Sequence, residues 1–420
     1  MQKIISTFLL CFSIFLLFLS MTAACQSSIQ HLPPFADIPS VSIPEPLSYT
    51  GRDFSIKSEK EVPAQMYAKA YCLMDANSNR VLLGKEENKK MPMASTTKIM
   101  TCILALEYGN PDSKVRVSDY AASMPDVQLN MQPDDTFYLK DLLYSLMLES
   151  HNDTAVAIAE HIGQSVEGFA DMMNEKASQL GCTSTNFVTP NGLDDDKHYT
   201  TAKELCLIAG YAIQNKDFLD IIQTKSYSFT NCDKSRSYTV RNHDAFLTSY
   251  PGAIGIKTGF TGNAGYCFCG AAQKNGQTLV SSVLACGWPP NKSYKWSDTK
   301  KLMDYGFANF REITVNHQKL PASLPVTDGI KNTIGIVTDC NSKTNFMLSE
   351  TDKLTIKSNL PSAIKAPVRQ GDILGYEEYY LNGSQVCQFP IIAKQNVPKR
   401  TLSYFTDIIC HLFFFAYNEI

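Results

Sequence analysis

The sequence has few features of a nucleic-acid-binding or a metal-binding protein. Its 420 residues contain no long run of lysine or arginine, and the formal net charge is −3. A chain without a basic stretch is not expected to bind nucleic acid. None of the 13 cysteines forms a C-x-x-C pair. We therefore expect neither a metal site nor a cofactor.

The cysteines also lack the pattern of a disulfide framework. Most of them lie inside apolar runs, as do Cys72, Cys102, Cys206 and Cys286. Buried thiols behave as small hydrophobic side chains. We interpret them as free cysteines of a protein core, although an exported chain is able to form disulfides.

An evident membrane-spanning run is missing too, but the N-terminus is unusual. Lys3 precedes a short apolar run over residues 4–19, and small residues follow before Cys25. A basic start, an apolar middle and a small-residue exit are typical of a secretory signal peptide, which we predict over residues 1–24. A retained membrane anchor and a lipidated Cys25 are the alternatives.

Composition divides the rest of the chain into four parts. Residues 25–63 are rich in proline and serine and are predicted to form a linker. Residues 64–310 combine helical and strand patterns, within a chain that is 44% hydrophobic and 19% charged. Short β-like runs fill residues 311–396. Residues 397–420 carry apolar side chains at helical spacing.

The patterns within residues 64–310 predict an α+β domain. An uninterrupted run from Ser95 to Leu106 predicts a helix. Later helices are predicted on either side of Ser150. Neighbouring strands are predicted by three apolar runs, at residues 253–257, 267–272 and 279–285.

The C-terminal parts have patterns of their own. Asn382-Gly383 predicts a tight hairpin because both residues accept the positive φ angles that such a turn needs. Residues 311–396 are therefore interpreted as a small β-rich domain. In the tail, Lys399 and Arg400 precede an apolar stripe that is too short and too polar to span a bilayer. An amphipathic helix that binds the membrane surface is predicted, and a terminal helix docked on the protein is the alternative.

Three short motifs occur in one order along this chain. They are S-x-x-K at Ser95 and Lys98, S-x-N at Ser150 and Asn152, and K-T-G at Lys257, Thr258 and Gly259. Each is common by chance. Together and in this order they are typical of the serine acyl transferases that react with penicillin.

The first motif supplies a nucleophile and a base. At the start of a helix, Ser95 and Lys98 lie one turn apart on one face. A serine hydroxyl is a weak nucleophile that needs a base, and lysine is a base only when burial or a nearby cation lowers its pKa. Lys257 is a candidate for that cation. The Ser95 N–H is a candidate oxyanion donor.

The second motif supplies polar groups for the substrate. If the segment is extended, Ser150 and Asn152 point one way and His151 the other. Ser150 is then able to pass a proton to the leaving nitrogen, and Asn152 to hydrogen-bond a substrate amide. His151 is interpreted as structural.

The third motif follows an apolar run and fits the edge strand of a sheet. Lys257 and Thr258 offer a cation and a hydroxyl to a carboxylate. Gly259 is expected to allow close approach of a substrate backbone. A peptide substrate is then expected to lie along this edge as an added strand.

With these three motifs, the chain resembles the D-alanyl-D-alanine carboxypeptidases, which are low-molecular-mass penicillin-binding proteins. The likeness covers roughly residues 60–310. It extends beyond the three motifs to the segments at residues 94–101, 189–193, 198–202 and 255–261. The resemblance implies a transpeptidase-like domain, with an antiparallel sheet flanked by helices. A β-rich domain and an amphipathic tail are then expected to follow it.

The resemblance also implies roles for the residues. Ser95 is the acylated nucleophile and Lys98 its base, while Ser150 and Asn152 belong to the second motif. Lys257 and Thr258 bind the terminal carboxylate of a stem peptide ending in D-Ala-D-Ala, and β-lactams acylate the same serine. The N–H of Phe260 joins that of Ser95 in the oxyanion hole.

Two residues depart from the family pattern. His151 stands where glycine or alanine is frequent, and Phe260 stands where the best-known members carry histidine. Both departures bear on substrate preference and rate. The basic residue that the family places downstream of the third motif is Lys292 or Lys295.

Three other functions share these motifs. A class A β-lactamase needs an E-x-x-L-N loop after the second motif, and no such pattern lies between Ser150 and Lys257. A DD-endopeptidase that cuts cross-links and a catalytically silent peptidoglycan-binding protein are the remaining alternatives.

Overall fold

The computed structural model describes residues 44–338, 343–406 and 408. The predicted signal peptide and Cys25 lie outside these residues. The described chain divides into two units by its contacts. The first, here called the catalytic unit, comprises residues 50–315 and 343–352, and the second, the C-terminal unit, comprises residues 44–49, 316–338 and 353–408.

A five-stranded antiparallel sheet forms the centre of the catalytic unit. Its strands are β2 (Ala70–Asp75), β3 (Val81–Lys85), β8 (Ala253–Thr261), β9 (Gly265–Lys274) and β10 (Gln277–Leu284). They are hydrogen-bonded in the order β3-β2-β10-β9-β8. All three predicted sheet strands are therefore present, and β8 lies at an open edge.

Helices cover both faces of this sheet. One face packs against α1 (Lys98–Tyr108) and α6 (Ala202–Ala212), with α4 (Asn152–Gly163) packed on α1, and the other face packs against α9 (Tyr294–Asn309). Every residue of β2 is buried as a result. A strand covered on both faces carries a continuous apolar run, as its sequence does.

Shorter elements complete the catalytic unit. The helices are α2 (Asp119–Ala122), α3 (Leu139–Tyr144), α5 (Val166–Gln179), α7 (Lys216–Gln223) and α8 (Phe246–Ser249). Paired strands are β4 (Lys114–Arg116) with β5 (Thr136–Tyr138), β6 (Ser226–Thr230) with β7 (Ser237–Arg241), and β11 (Phe310–Asn316) with β14 (Lys343–Ser349). The pairing of β14 with β11 assigns residues 343–352 to this unit, although the sequence pattern groups them with residues 311–396.

The C-terminal unit is built on a seven-stranded sheet. Its strands are β1 (Leu47–Thr50), β12 (Ser323–Thr327), β13 (Thr333–Thr338), β15 (Lys353–Asn359), β16 (Ile364–Lys365), β17 (Ile373–Leu381) and β18 (Ser384–Ala393). The order is β1-β15-β17-β18-β13-β12-β16. The Asn382-Gly383 hairpin joins β17 and β18 as predicted, with both residues at positive φ.

Strand β1 corrects the predicted linker. The sequence predicts a linker over residues 25–63, yet Leu47–Thr50 pairs with β15 and a 3-10 turn follows at Gly51–Phe54. Ser48 Oγ lies 3.2 Å from Thr355 Oγ1 in the partner strand. Four residues give too short a pattern to identify a strand, and pairing across some 300 residues is decided by the fold.

The start of the tail also differs from the prediction. The Arg400 N–H donates to the carbonyl of Asp328 at 2.7 Å, and Ile330 N–H donates to Pro398 O at 3.0 Å. Residues 397–400 thus belong to the C-terminal unit, and helical backbone begins at Leu402 and runs to Thr406. Leu402 is 87% exposed. The rest of the predicted amphipathic helix lies outside the described residues.

Candidate active site

The nucleophile motif folds as one tight turn that leads into α1. Ser95 lies in a 3-10 turn, Ala94–Thr97, and Lys98 is the first residue of the α-helix. The hydroxyls of Thr96 and Thr97 donate to the carbonyls of Met93 and Ala94 at 2.6 and 2.8 Å. These bonds fix the turn that precedes the helix, and they place Ser95 one turn from Lys98.

Lys98 is a fully buried amine in contact with the nucleophile. Its Nζ lies 2.8 Å from Ser95 Oγ, 2.8 Å from Asn152 Oδ1 and 2.7 Å from the carbonyl of Asn191. Burial holds the pKa of Lys98 well below its ordinary value, the charge of Lys257 lowers it further, and Asp153 opposes the shift. A neutral amine beside a serine hydroxyl is a general base.

The second motif does not adopt the extended conformation that its predicted roles assume. Ser150 occupies the left-handed region with φ of 71°, after the π-helical turn Ser145–Glu149, and Asn152 begins α4. Helical packing, rather than strand alternation, therefore sets the directions of these side chains. Ser150 Oγ is buried, and it neither donates a hydrogen bond to any described residue nor accepts one from any of them.

Asn152 orients the base. Its Oδ1 accepts from Lys98, and its Nδ2 donates to the carbonyls of Pro125 and Asp126 at 3.0 and 3.1 Å. Both amide hydrogens are committed to this loop, and the expected hydrogen bond between Asn152 and a substrate amide stays a prediction. The loop at residues 125–131 makes these contacts, and no local pattern in the sequence links that loop to Asn152.

His151 has contacts of its own, as expected for a structural residue. Its Nδ1 lies 2.8 Å from Ser145 Oγ, and its Nε2 lies 3.2 Å from Glu149 Oε2. Burial lowers the pKa of His151 despite the nearby carboxylates of Asp153 and Glu149. The ring is therefore held away from the Ser95–Lys98 pair.

The third motif lies on β8, at the open edge of the sheet. Lys257 and Gly259 share one face, because alternate residues of a strand point to the same side. That face is turned to the nucleophile: a Cβ atom on Gly259 would lie 3.0 Å from the Ser95 backbone nitrogen. Glycine at this position lets β8 approach the nucleophile turn itself. Its expected role in substrate approach stays a prediction.

The next residues alternate to the other face. Thr258 is half-buried, and Phe260 is 42% exposed with its ring centroid 4.6 Å from that of Tyr266. Tyr266 exchanges backbone hydrogen bonds with Cys286 and Gly287 on its other side. Phe260 therefore stands opposite Tyr266 in a non-hydrogen-bonded pair, which directs the Phe260 N–H toward the open edge.

Lys257 is a second buried lysine. It is 3% exposed, and its Nζ donates to the carbonyl of Thr258 at 3.2 Å. Burial lowers the pKa of Lys257 to about 7, and the carboxylate of Asp244 opposes that shift. The two lysines of lowered pKa differ in the charges around them: Lys98 lies near the cation Lys257, and Lys257 lies near the carboxylate of Asp244. This difference suits Lys98 to act as a base and Lys257 as a cation.

His198 holds the nucleophile turn in place. Its Nε2 lies 2.8 Å from Thr97 Oγ1, while its Nδ1 accepts from the N–H groups of Val188 and Thr189 at 3.0 and 3.3 Å. Nε2 therefore carries the proton. Burial lowers the pKa of His198 to about 4, which keeps the ring neutral.

The loop around Asn191 was singled out only by resemblance, and its function follows from the fold. The Asn191 carbonyl accepts from Lys98. Gly192 has φ of 84°, and a Cβ there would lie 2.0 Å from the Ala94 carbonyl oxygen. Only glycine lets this loop close over the nucleophile turn.

The two candidates for a downstream basic residue lie in different surroundings. Lys295 is buried, its Nζ donates to the Lys292 carbonyl at 2.7 Å, and it lies 4.7 Å from the ring centroid of Tyr266. Lys292 is exposed. Within the described ranges, no cluster of histidine, cysteine or carboxylate side chains is arranged to hold a metal ion.

The cysteines in the described part of the chain fit the interpretation as core residues. Cys72, Cys102, Cys206 and Cys286 are free and buried. Burial raises the pKa of Cys102, which leaves this thiol protonated and unreactive.

Known proteins are similar to this chain in sequence and in architecture. Residues 56–287 match the D-alanyl-D-alanine carboxypeptidase family, and residues 311–399 match the C-terminal domain of penicillin-binding protein 5. The D-alanyl-D-alanine carboxypeptidase DacF of Bacillus subtilis is 29% identical over 344 residues, which is 79% of this chain and 86% of the relative. That of Streptomyces sp. strain K15 is 35% identical over 251 residues, or 56% of this chain and 85% of the relative.

A solved structure gives the same result in three dimensions. Penicillin-binding protein 5 from Haemophilus influenzae superimposes with a TM-score of 0.67 at 26% identity, covering 81% of this chain and all of the other. The predicted α+β fold with a β-rich C-terminal domain is confirmed. The matched catalytic region holds the three motifs around the contact between Ser95 and the buried Lys98, and the chain therefore belongs to the D-alanyl-D-alanine carboxypeptidase family of serine peptidases.

Proposed function

We propose that this enzyme removes the terminal D-alanine from peptidoglycan stem peptides through an acyl-enzyme on Ser95. The observation that carries the proposal is the 2.8 Å contact between Ser95 Oγ and the buried amine of Lys98. The open edge of β8 beside it offers room for an extended peptide. Family membership supports the choice of a D-Ala-D-Ala substrate.

Acylation begins with proton transfer from Ser95 to neutral Lys98. The serine oxygen attacks the carbonyl of the penultimate D-alanine, and the N–H groups of Ser95 and Phe260 stabilise the oxyanion. Ser150, whose hydroxyl is otherwise unpartnered, donates a proton to the leaving amine of the terminal D-alanine and takes one in turn from Lys98, which becomes neutral again. Water then attacks the ester, with Lys98 as base, and frees Ser95. A β-lactam carbonyl is attacked in the same way.

The substrate carboxylate is bound at the edge of β8. Protonated Lys257 supplies the charge and Thr258 a hydroxyl, while the neighbouring Gly259 keeps this strand against Ser95. The enzyme therefore requires a free terminal carboxylate, and the bond that it cleaves is the last peptide bond of the stem peptide. This selection favours an exo-acting carboxypeptidase over a DD-endopeptidase.

We expect stem peptides with a free terminal carboxylate to be turned over and peptides amidated at that position to be poor substrates. A lost hydrogen bond to a charged group costs about 1.5–3 kcal/mol, or about 10- to 100-fold in kcat/KM. Thr258→Val should lose that factor on the free peptide only. The measurement is D-alanine release, with Thr278→Val in β10 as the control. Equal turnover of free and amidated peptides would support the endopeptidase alternative.

The remaining alternatives make different products. A class A β-lactamase hydrolyses its penicilloyl ester rapidly, and residues 151–256 of this sequence hold no E-x-x-L-N loop to activate water for that step. A silent binding protein would release no D-alanine at all. D-alanine release together with a long-lived penicillin adduct therefore supports the carboxypeptidase.

The proposal includes export and attachment to the outer face of the cytoplasmic membrane. The predicted signal peptide supports export into the cell envelope. No helix among the described residues is long and apolar enough to cross a bilayer. The tail residues Leu402, Phe405 and Ile408 are exposed, and they continue the apolar stripe that the sequence predicts for an in-plane helix.

We expect deletion of the tail to abolish membrane binding and to spare catalysis. The chain should be cut after Thr401, because Pro398 and Arg400 hydrogen-bond to the C-terminal unit. The full-length mature protein should cosediment with anionic phospholipid vesicles, less so at high salt, since Lys399 and Arg400 meet the headgroups. The shortened protein should stay in the supernatant with unchanged D-alanine release. An inactive shortened protein, with no vesicle binding by the full chain, would make the tail a structural helix.

A further inference from the structure

Asp244 is an ionisable side chain at a position whose structural role does not need a charge. It lies in the turn before α8, where Oδ1 accepts the Phe246 N–H at 2.9 Å. Serine or asparagine would form the same turn. The other oxygen, Oδ2, is buried and accepts no hydrogen bond from any described residue. A buried carboxylate oxygen without a partner is costly, so the charge calls for a function.

The free oxygen is turned toward β8. Asp244 Oδ2 lies 3.8 Å from the position of a Cβ atom on Gly255. Gly255 pairs with Ala271 and Lys257 with Cys269, in the regular pairing that follows a register shift between Ala253 and Gly255, so Gly255 and Lys257 are alternate residues of one strand. The unpartnered Asp244 carboxylate therefore lies over Gly255. The buried Lys257 ammonium is two residues further along the same strand and on the same side of it.

We propose that Asp244 is a positioning residue, whose carboxylate keeps Lys257 protonated and thereby maintains the substrate-carboxylate site. This inference rests on the role proposed above for Lys257. The two side chains form no direct hydrogen bond, so the effect is that of a nearby charge in a water-poor environment. Asp244 touches no reacting atom in this mechanism.

The charges around the pair give the sign of the effect. Burial lowers the pKa of Lys257, and Asp244 raises it. Burial raises the pKa of Asp244 to about 7, while Lys257 on β8 and Lys295 on α9 lower it. The charge of Lys257 in turn lowers the pKa of Lys98 on α1. Without Asp244, Lys257 should lose its proton at lower pH, and Lys98 should keep its proton to higher pH.

Both changes narrow the pH range of activity. The acid limb of kcat/KM requires neutral Lys98, and the alkaline limb requires charged Lys257. In Asp244→Asn and Asp244→Ser, which keep the turn and remove the charge, we expect the acid limb to move up and the alkaline limb to move down. KM for the free peptide at neutral pH should rise at least tenfold. A purely structural role would lower thermal stability without moving either limb.

A matched control is available in Asp298. It is also buried, accepts the N–H groups of Tyr67 and Ala68 at 2.7 and 2.8 Å, and has one unpartnered oxygen. Its Oδ2 lies 3.3 Å from the Cys286 thiol rather than near Lys257. Asp298→Asn should leave both limbs in place. In a Lys257→Arg background, Asp244→Asn should not move the alkaline limb, since arginine stays charged.

A measurement independent of catalysis separates this inference from the proposed function. NMR titration of lysine labelled with ¹³C at Cε reports the Lys257 pKa directly, with Lys257→Arg assigning the resonance. A lower Lys257 pKa in the Asp244 variants supports the inference even if no D-alanine is released, an outcome that would refute only the proposed function. An unchanged Lys257 pKa overturns it. If neither variant folds, the wild type decides: Asp244 Cγ and Lys257 Cε must each sense the titration of the other, and independent titrations overturn the inference.

Discussion

Ser95→Ala should form no covalent adduct with a fluorescent penicillin and should release no measurable D-alanine. The Ser95 hydroxyl oxygen is the atom that becomes part of the ester. Among the described residues, no second hydroxyl hydrogen-bonds to Lys98 Nζ. Removal of the nucleophile from a serine hydrolase costs about 10⁶-fold in kcat. Ser95 is only partly buried, so the fold should survive the loss of one oxygen.

Gel fluorescence and D-alanine release measure the two parts of this prediction. Ser113→Ala is the matched control, because it removes a hydroxyl that bonds to His161 instead of a lysine. This control should label as the wild type does. A labelled Ser95→Ala protein with an unchanged melting temperature would show that another residue is acylated, and the assignment of the site would be wrong.

Lys98→Arg should lose acylation although it keeps a positive charge. A guanidinium group does not release its proton in proteins, whereas burial and Lys257 hold the pKa of Lys98 low enough for a neutral amine. A general base contributes about 10²- to 10⁴-fold, and the acylation rate should fall by that factor at pH values where Lys98 of the wild type is neutral. In the wild type, acylation should be lost on acidification as Lys98 becomes protonated.

The control for this change is a lysine outside the site. Lys176 is 11% exposed in its side chain and pairs with Glu107 at 2.7 Å, so Lys176→Arg should acylate normally. Because Lys98 is fully buried, the folded state of Lys98→Arg must be checked by thermal unfolding. A folded Lys98→Arg protein that acylates at the wild-type rate would mean that the base is elsewhere.

Much of the site was predictable because its chemistry is written in short local motifs. Ser95 and Lys98 lie within one turn of each other in any helical conformation, so their contact needs only the correct local structure. The strand that carries Lys257 and the hairpin at Asn382-Gly383 were likewise evident from apolar runs and turn residues. The assignment of individual roles within the motifs remains a prediction until the variants are made.

The errors share one physical cause. The second motif was predicted from strand alternation, but packing of α4 places Ser150 in the left-handed region and commits both hydrogens of Asn152 to a loop some 26 residues earlier. Gly259 also makes room for the nucleophile turn, a contact that no local pattern indicated. In each case the deciding neighbour is distant in sequence.

The sequence by itself determined the chemical groups of this protein, their order and the class of fold, because these depend on residue type and local periodicity. Only the tertiary structure decided which groups meet. It brought the Asn191 carbonyl to Lys98, His198 to the nucleophile turn and Asp244 to the face of Lys257. The first two contacts join segments that are 93 and 101 residues apart. Burial, which no local pattern encodes, sets the protonation of the two lysines.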